Sequence, residues 1–231
     1  MNVVITDFVD GAKNAQGIVV IIDVFRAFSV ACYCLDNNPD FIAPVGSVDD
    51  AFALKQQYPS ALLVGEREGK KLAGFDHGNS PTELMQVNVT GKQIIHTTHA
   101  GTQGLINANN ADIILTGSFL NAQATVNFIK SKNPEVVTLV RMGWKAESNT
   151  DEDDLCAEYL ASLLLDKPFD ENTIITQLRA SDCSDRFFDE AQPWNPISDF
   201  ELCLKPNIFN FAVVAEQSQH GFLQLKKLTL N

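Results

Sequence analysis

The sequence predicts an α/β fold of three layers, with a largely parallel or mixed central sheet between helices and a C-terminal hairpin. Three observations predict it. Short continuous runs rich in β-branched residues recur between Gly17 and Arg141, helical patterns alternate with them, and two alternating stretches flank "QSQHG" near the end.

Taken in order, "GIVVIID" (Gly17 to Asp23) is apolar throughout and too short for a helix, as in a strand covered on both faces. "SVDDAFALKQQY" opens a helix with Ser47 as N-cap and with Asp49 and Asp50 in the first turn, where carboxylates favour the dipole. "ALLVG" (Ala61 to Gly65) reads as a strand. "SPTE" (Ser80 to Glu83) has an N-cap serine, proline at N1 and glutamate at N3, a capping box that needs no ligand. "QIIHTT" (Gln93 to Thr98) and "DIILTG" (Asp112 to Gly117) are further strands. "SFLNAQATVNFIKSK" (Ser118 to Lys132) puts Phe119, Ala122, Val126 and Ile129 on one helical face and ends in lysines. "VVTLVR" (Val136 to Arg141) is the next strand.

After Lys145 the texture changes. The acidic loop "AESNTDEDD" leads into the helix "LCAEYLASLLL", and short amphipathic pieces follow, punctuated by Pro168, Pro193, Pro196 and Pro206. With no long linker and no repeat, residues 1–231 read as a single domain, or as two closely packed lobes meeting near 145–150.

Composition narrows the function. With 45% hydrophobic and 20% charged residues among 231, the chain can bury a substantial core. Against 29 acidic residues stand 17 Lys and Arg, a net charge of -12, so no basic stripe is available for nucleic acid. No apolar run approaches the roughly 20 residues that span a bilayer, and no cationic segment precedes an apolar stretch at the start. The expectation is a cytoplasmic protein with no membrane partner. Five cysteines without CxxC spacing read as reduced, buried thiols, and four histidines without HExxH argue against a zinc hydrolase. No GxGxxG or GxxxxGK[ST] follows a strand, which weakens a nucleotide-binding reading.

In open α/β sheets the site lies beyond the carboxyl ends of strands, and the polar residues collect there. Asp23 and Arg26 follow the first run, Glu66 and Arg67 the second. Thr97 and Thr98 lead into Gly101 and Thr102 after the third, and Glu152 and Asp153 enter a helix after the last. Each has a structural alternative: Asp23 as a cap, Glu66 and Arg67 as a surface pair, "TTHAGT" as a satisfied turn, "TDEDD" as a solvated helix start capped by Thr150. Together they mix hydroxyls, amides and arginines suited to phosphate with carboxylates that would repel it unless a divalent cation lies between. Magnesium resolves that conflict, and the substrate would then be a small phosphorylated anion.

The succession "VVIIDVFRAFS", "APVGSVDDA", "LLVGEREGKKLAGFDHGNSPTE", "IIHTTHAGTQGL", "ILTGSFLNAQA" and "DEDDLCA" resembles the 2-phosphosulfolactate phosphatase family over roughly residues 18 to 165. The resemblance implies magnesium-dependent hydrolysis of 2-phospho-3-sulfolactate to 3-sulfolactate and phosphate, a step of coenzyme M biosynthesis, on an α/β fold. The family's Asp and Arg match Asp23 and Arg26, its Gly-Glu-Arg matches Gly65, Glu66 and Arg67, and its Gly-Asn-Ser-Pro matches Gly78, Asn79, Ser80 and Pro81. Its paired threonines match Thr97 and Thr98, and its Glu-Asp matches Glu152 and Asp153. On this reading Asp23, Glu66, Glu152 and Asp153 supply metal-binding carboxylates. Asp23, Arg26, Glu66, Arg67 and Asp153 act on the phosphoryl group, and Asn79, Ser80, Thr97, Thr98, Gly101 and Thr102 hold the substrate. Where the family pattern has Asn-Gly-Thr-Arg, this chain has Ala100, Gly101, Thr102 and Gln103, so an amide and a guanidinium are absent. The substrate could then differ. A related phosphoesterase, or a protein that only binds an anionic metabolite, are the competing readings, and a homodimer is expected from base rates.

Overall fold

The computed structural model describes residues 1–229. Ten strands form one sheet: β1 (Asn2–Asp7), β2 (Gly17–Ile22), β3 (Phe41–Pro44), β4 (Leu62–Arg67), β5 (Lys70–Lys71), β6 (Gln93–Thr97), β7 (Ala111–Gly117), β8 (Val136–Arg141), β9 (Ala212–Gln217) and β10 (Leu223–Leu228). Their spatial order is β1-β8-β2-β7-β9-β10-β3-β6-β4-β5. The helices are α1 (Phe8–Asn14), α2 (Ala27–Asp36), α3 (Val48–Gln57), α4 (Pro81–Leu84), α5 (Gly101–Asn107), α6 (Ala122–Lys132), α7 (Asp151–Leu164), α8 (Thr173–Arg179) and α9 (Ile197–Cys203).

All five strands read from the apolar runs are present, and the closing hairpin is β9 with β10. The sheet is covered on both faces, as the unbroken hydrophobicity of β2 requires. Val19 and Ile21 pack with Phe28, Leu105 and Met142, while Ile18, Val20 and Ile22 pack with Phe119, Tyr159 and Leu160. The strands β1 and β3 carry weaker signals: β1 is an edge paired only to β8, with Val4 and Ile5 exposed, and β3 is four residues long and ends in Pro44. Ser47 caps α3 as expected, its hydroxyl accepting from Asp50 N at 2.9 Å. The expected helix from Ser118 opens with a 3-10 turn (Phe119–Asn121) before α6 begins.

The sheet's direction is what positions the site. Strands β1, β8, β2 and β7 are mutually parallel, as are β3, β6 and β4. Between these halves β7 to β9, β9 to β10 and β10 to β3 are all antiparallel, so the two halves run in opposite senses. Sheet twist of about 20–25° per strand rotates β6 by roughly 100–125° relative to β2 across the intervening strands. The carboxyl ends of the two halves meet: Gly101, after β6, bonds Asp23, after β2, and Arg26 bonds Gly69, after β4. No helix among the described residues is long and apolar enough to cross a membrane. All five cysteines are free; Cys32, Cys34, Cys156 and Cys203 are buried and Cys183 is half-buried.

Candidate active site

Segments following β2, β4, β6 and β8 enclose a cavity of about 30 Å³, lined by Asp23, Arg26, Glu66, Glu68, Asn79, His99, Ala100, Trp144, Lys145 and Arg186 among others. A groove of about 610 Å³ opens elsewhere, where β7 and β9 diverge, but its walls are mostly aliphatic and its acids, Asp50, Asp112 and Glu216, are exposed. Size favours the groove. Buried, convergent polar groups favour the small cavity, and chemistry needs those.

Each expected carboxylate is buried, and Asp23, Glu66 and Asp153 are held by main-chain amides. Asp23 Oδ1 accepts from Ala27 N, the first residue of α2, at 3.0 Å, although Arg26 and not Asp23 holds the N-cap position, while Oδ2 accepts from Gly101 N at 2.8 Å. Glu66 accepts from His99 N (2.8 Å) and Gly69 N (2.7 Å), so it is no surface ion pair. Asp153 accepts from Val24 N at 2.9 Å and Gly143 N at 2.8 Å. Glu152 and Asp153 are only 3% and 2% exposed, which overturns the solvated-helix alternative for "TDEDD". Thr150 occupies the N-cap position without a side-chain cap bond.

Burial is the main force on their protonation. It pushes Asp23 up to about 7, the charges of Glu66 and Glu152 adding to it and the Ala27 and Gly101 amides opposing it. Asp153 is raised well above the usual carboxylate range by burial, then by Glu152 and Asp23, and Glu152 is raised by burial against the pull of Arg186. A carboxyl group poised near neutrality in a cavity is suited to move a proton.

The other expected residues divide. Asn79 lines the cavity, its Oδ1 held by His96 Nε2 at 3.0 Å. Arg26 also lines it, but its guanidinium pairs with Asp199 and donates to the carbonyls of Trp194 and Gly69, both at 3.0 Å. The Phe25–Arg26 peptide before α2 is cis. Arg67 is turned to its own neighbourhood, bonding the Glu66 carbonyl and Thr97 Oγ1 at 3.1 Å. Thr98 and Thr102 bond one another reciprocally, Thr102 N to Thr98 Oγ1 at 3.2 Å and Thr98 N to Thr102 Oγ1 at 3.0 Å. Ser80 is the N-cap of α4, accepting from Glu83 N at 3.2 Å and donating to Asp199 Oδ1 at 2.8 Å. In the capping box Glu83 takes Gly78 N, not Ser80 N. Of these hydrogen-bonding residues only Asn79 faces the cavity; Gly101 serves it through its amide.

The sequence reading missed Arg186, Lys145, Asp199 and Asn195. Arg186 and Lys145 line the cavity, and Asp199, fully buried, ties Arg26 to Ser80 and Thr82 N. Two polar atoms of the lining are buried without a partner among the described residues, His99 Nδ1 and Arg186 Nε. Such orphans are costly unless something polar enters.

Carboxylate oxygens are the donors magnesium prefers, and it commonly takes one or two of them, leaving its other positions to water and phosphate. Among the described residues no three His, Cys, Asp or Glu side chains form a ready cage. Asp23 and Glu66 are the two expected metal-binding carboxylates that line the cavity, so the donor set fits an ion completed by substrate oxygens; Glu152 and Asp153 lie outside the lining.

Residues 4–218 match the family described as 2-phosphosulpholactate phosphatase. A probable 2-phosphosulfolactate phosphatase of Bacillus subtilis (strain 168) is 31% identical over 206 residues, 86% of each chain. One of Clostridium perfringens (strain 13 / Type A) is 32% identical over 209 residues, covering 87% of this chain and 84% of the relative. One of Carboxydothermus hydrogenoformans is 38% identical over 156 residues, covering 67% and 64%.

Proposed function

This chain belongs to the 2-phosphosulpholactate phosphatase family, and from that premise we propose that it hydrolyses a small 2-phospho acid in the cytoplasm, 2-phospho-3-sulfolactate to 3-sulfolactate and phosphate, with magnesium as cofactor. The observation that carries the reading is the pairing of Asp23 and Glu66 in one cavity with Arg26, Arg186 and Asn79.

Asp23, fixed by the Ala27 and Gly101 amides, orients the attacking water and takes its proton. Its two amide bonds fix where that oxygen stands. Glu66, locked by the His99 and Gly69 amides, faces the same space. Arg26 is a positioning residue that joins the segment after β2 to Gly69, Trp194 and Asp199. Asn79 offers its amide NH₂ to a phosphoryl oxygen while His96 holds the other end. Magnesium, held by Asp23 and Glu66, would supply neutralisation of phosphoryl charge.

A cavity of about 30 Å³ holds about one water, whereas small-molecule pockets run to about 300 Å³ and more. The Lys145 to Glu68 ion pair, 2.5 Å, joins the loop after β8 to the turn after β4 beside this cavity.

The test is phosphate release by the purified protein, with and without magnesium, from 2-phosphosulfolactate, 2-phospholactate, 2-phosphoglycolate and 2-phosphoglycerate. Magnesium-dependent turnover that falls by about 10²-fold or more in Asp23→Asn and Glu66→Gln supports the proposal. Preference for a substrate without sulfonate would assign another small acid, in keeping with Ala100 in the cavity wall. No turnover on any of them would leave an anionic-metabolite-binding protein.

A further inference from the structure

Four arginines and lysines are candidates to meet an anion at this site, and three are already engaged. Arg26 is held by Asp199 and two carbonyls, Arg67 by Thr97 and the Glu66 carbonyl, and Lys145 by Glu68. Arg186 is different. It lines the cavity, its Nε has no partner among the described residues, and its polar contacts are long: Phe25 O at 3.3 Å and an ion pair with the buried Glu152 Oε1 at 3.7 Å.

Its plane is nevertheless fixed. The guanidinium lies 4.9 Å from the Trp144 ring centroid, 5.1 Å from Phe187 and 5.8 Å from Phe25. A guanidinium held by aromatic faces loses little freedom on binding, and its planar fork suits two oxygens of one acid group. Gln103, where the related pattern has an arginine, cannot serve: its side chain bonds the Gly46 carbonyl and does not line the cavity.

We propose that Arg186, clamped between Trp144, Phe187 and Phe25, is the specificity-determining residue that receives the substrate's unhydrolysed acid group, a carboxylate or sulfonate. The proposal rests on the phosphatase reading above for its substrate class. Arg186 selects among phosphate monoesters and leaves the phosphoryl group to the Asp23 and Glu66 side of the cavity.

Two measurements on the full chain test it. The first is kcat/KM for four monoesters: 2-phosphosulfolactate with both acid groups, 2-phospholactate with carboxylate only, 2-sulfoethyl phosphate with sulfonate only, and isopropyl phosphate with neither. In Arg186→Gln the preference for the acid-bearing monoesters over isopropyl phosphate should fall by about 30-fold or more, mainly through KM. The member that loses most identifies which acid group is held. Arg186→Lys, which keeps charge without the fork, should fall between the two proteins. The second is calorimetric titration with sulfoacetate and with inorganic phosphate, which needs no turnover. Arg186→Gln should weaken sulfoacetate at least tenfold more than phosphate. Parallel losses across all monoesters and both anions, or no loss, overturn the proposal, as does a wild-type protein that binds phosphate but not sulfoacetate. Absence of turnover in the wild type counts against the catalytic reading alone, because the titrations then decide the role of Arg186.

Discussion

The Gly101 amide donates to Asp23 Oδ2 at 2.8 Å, so the residue that opens α5 in one half-sheet fixes a carboxylate that follows β2 in the other. Glycine is required by space. A Cβ at position 101 would stand 2.7 Å from Asp23 Oδ2 and 2.9 Å from the Ala27 Cβ. Gly101→Ala should push the carboxylate from its place and cost activity out of proportion to stability: about 10²-fold in kcat against about 1–3 kcal/mol of overpacking. Paired kinetics and urea unfolding decide it, and equal activity would remove the close approach from the account.

Asp199 and Arg26 form a buried pair, 0% and 4% exposed at the side chain. Removal of one partner leaves the other charge without compensation in the interior. Asp199→Ala should lower unfolding free energy by about 3–5 kcal/mol. Asp199→Asn, which keeps an acceptor for Ser80 and Thr82 N, should lose less. A wild-type urea midpoint in Asp199→Ala would show that Arg26 finds another partner.

His96 is buried and its pKa is pushed down to about 4 by that burial, from a model-peptide value of 6.5. The folded protein therefore holds it neutral while the unfolded chain protonates first as pH falls. Its contribution is fully present above pH 6.5 and is lost as pH drops through 6.5 toward 4. At about 1.4 kcal/mol per pH unit the loss reaches about 3 kcal/mol. Urea unfolding of the wild type and His96→Gln from pH 7.5 to 4.5 should show a steeper decline in the wild type; superimposable slopes would mean that His96 already takes up its proton in the native state.

Leu225 is 1% exposed, lies opposite Ala215 in β9 and is the β10 residue in register with Ile42 of β3. Leu225→Ala should cost about 2–5 kcal/mol through the cavity it leaves. Both tryptophans, Trp144 and Trp194, border the active site, so fluorescence-monitored unfolding reports on the seam from the place where its closure matters.

Much of the fold and part of the site were legible in the sequence. Asp23 and Glu66 stand directly at the ends of apolar runs, where periodicity changes and a polar side chain must face the open edge of the sheet. Asn79 came from the family motif. Arg186, Asp199 and Asn195 carried no comparable signal, because they lie in a Pro-interrupted segment whose partners are distant in sequence: Asp199 meets Arg26 173 positions away. In the sequence Asp199 looks like any first-turn acid of a short helix. Ser80 and Thr98 show the converse, since the bland readings of a cap and a satisfied turn describe what their hydroxyls do.

The strand pair β9 and β10 lies later in the chain than both half-sheets it joins. Until it is in place, β7 and β3 each present an open edge. Assembly of the active site thus depends on contacts of high sequence separation. A shortened chain that lacks the pair should retain two sets of paired strands yet no competent site, so that catalysis reports on whether the chain has closed on itself.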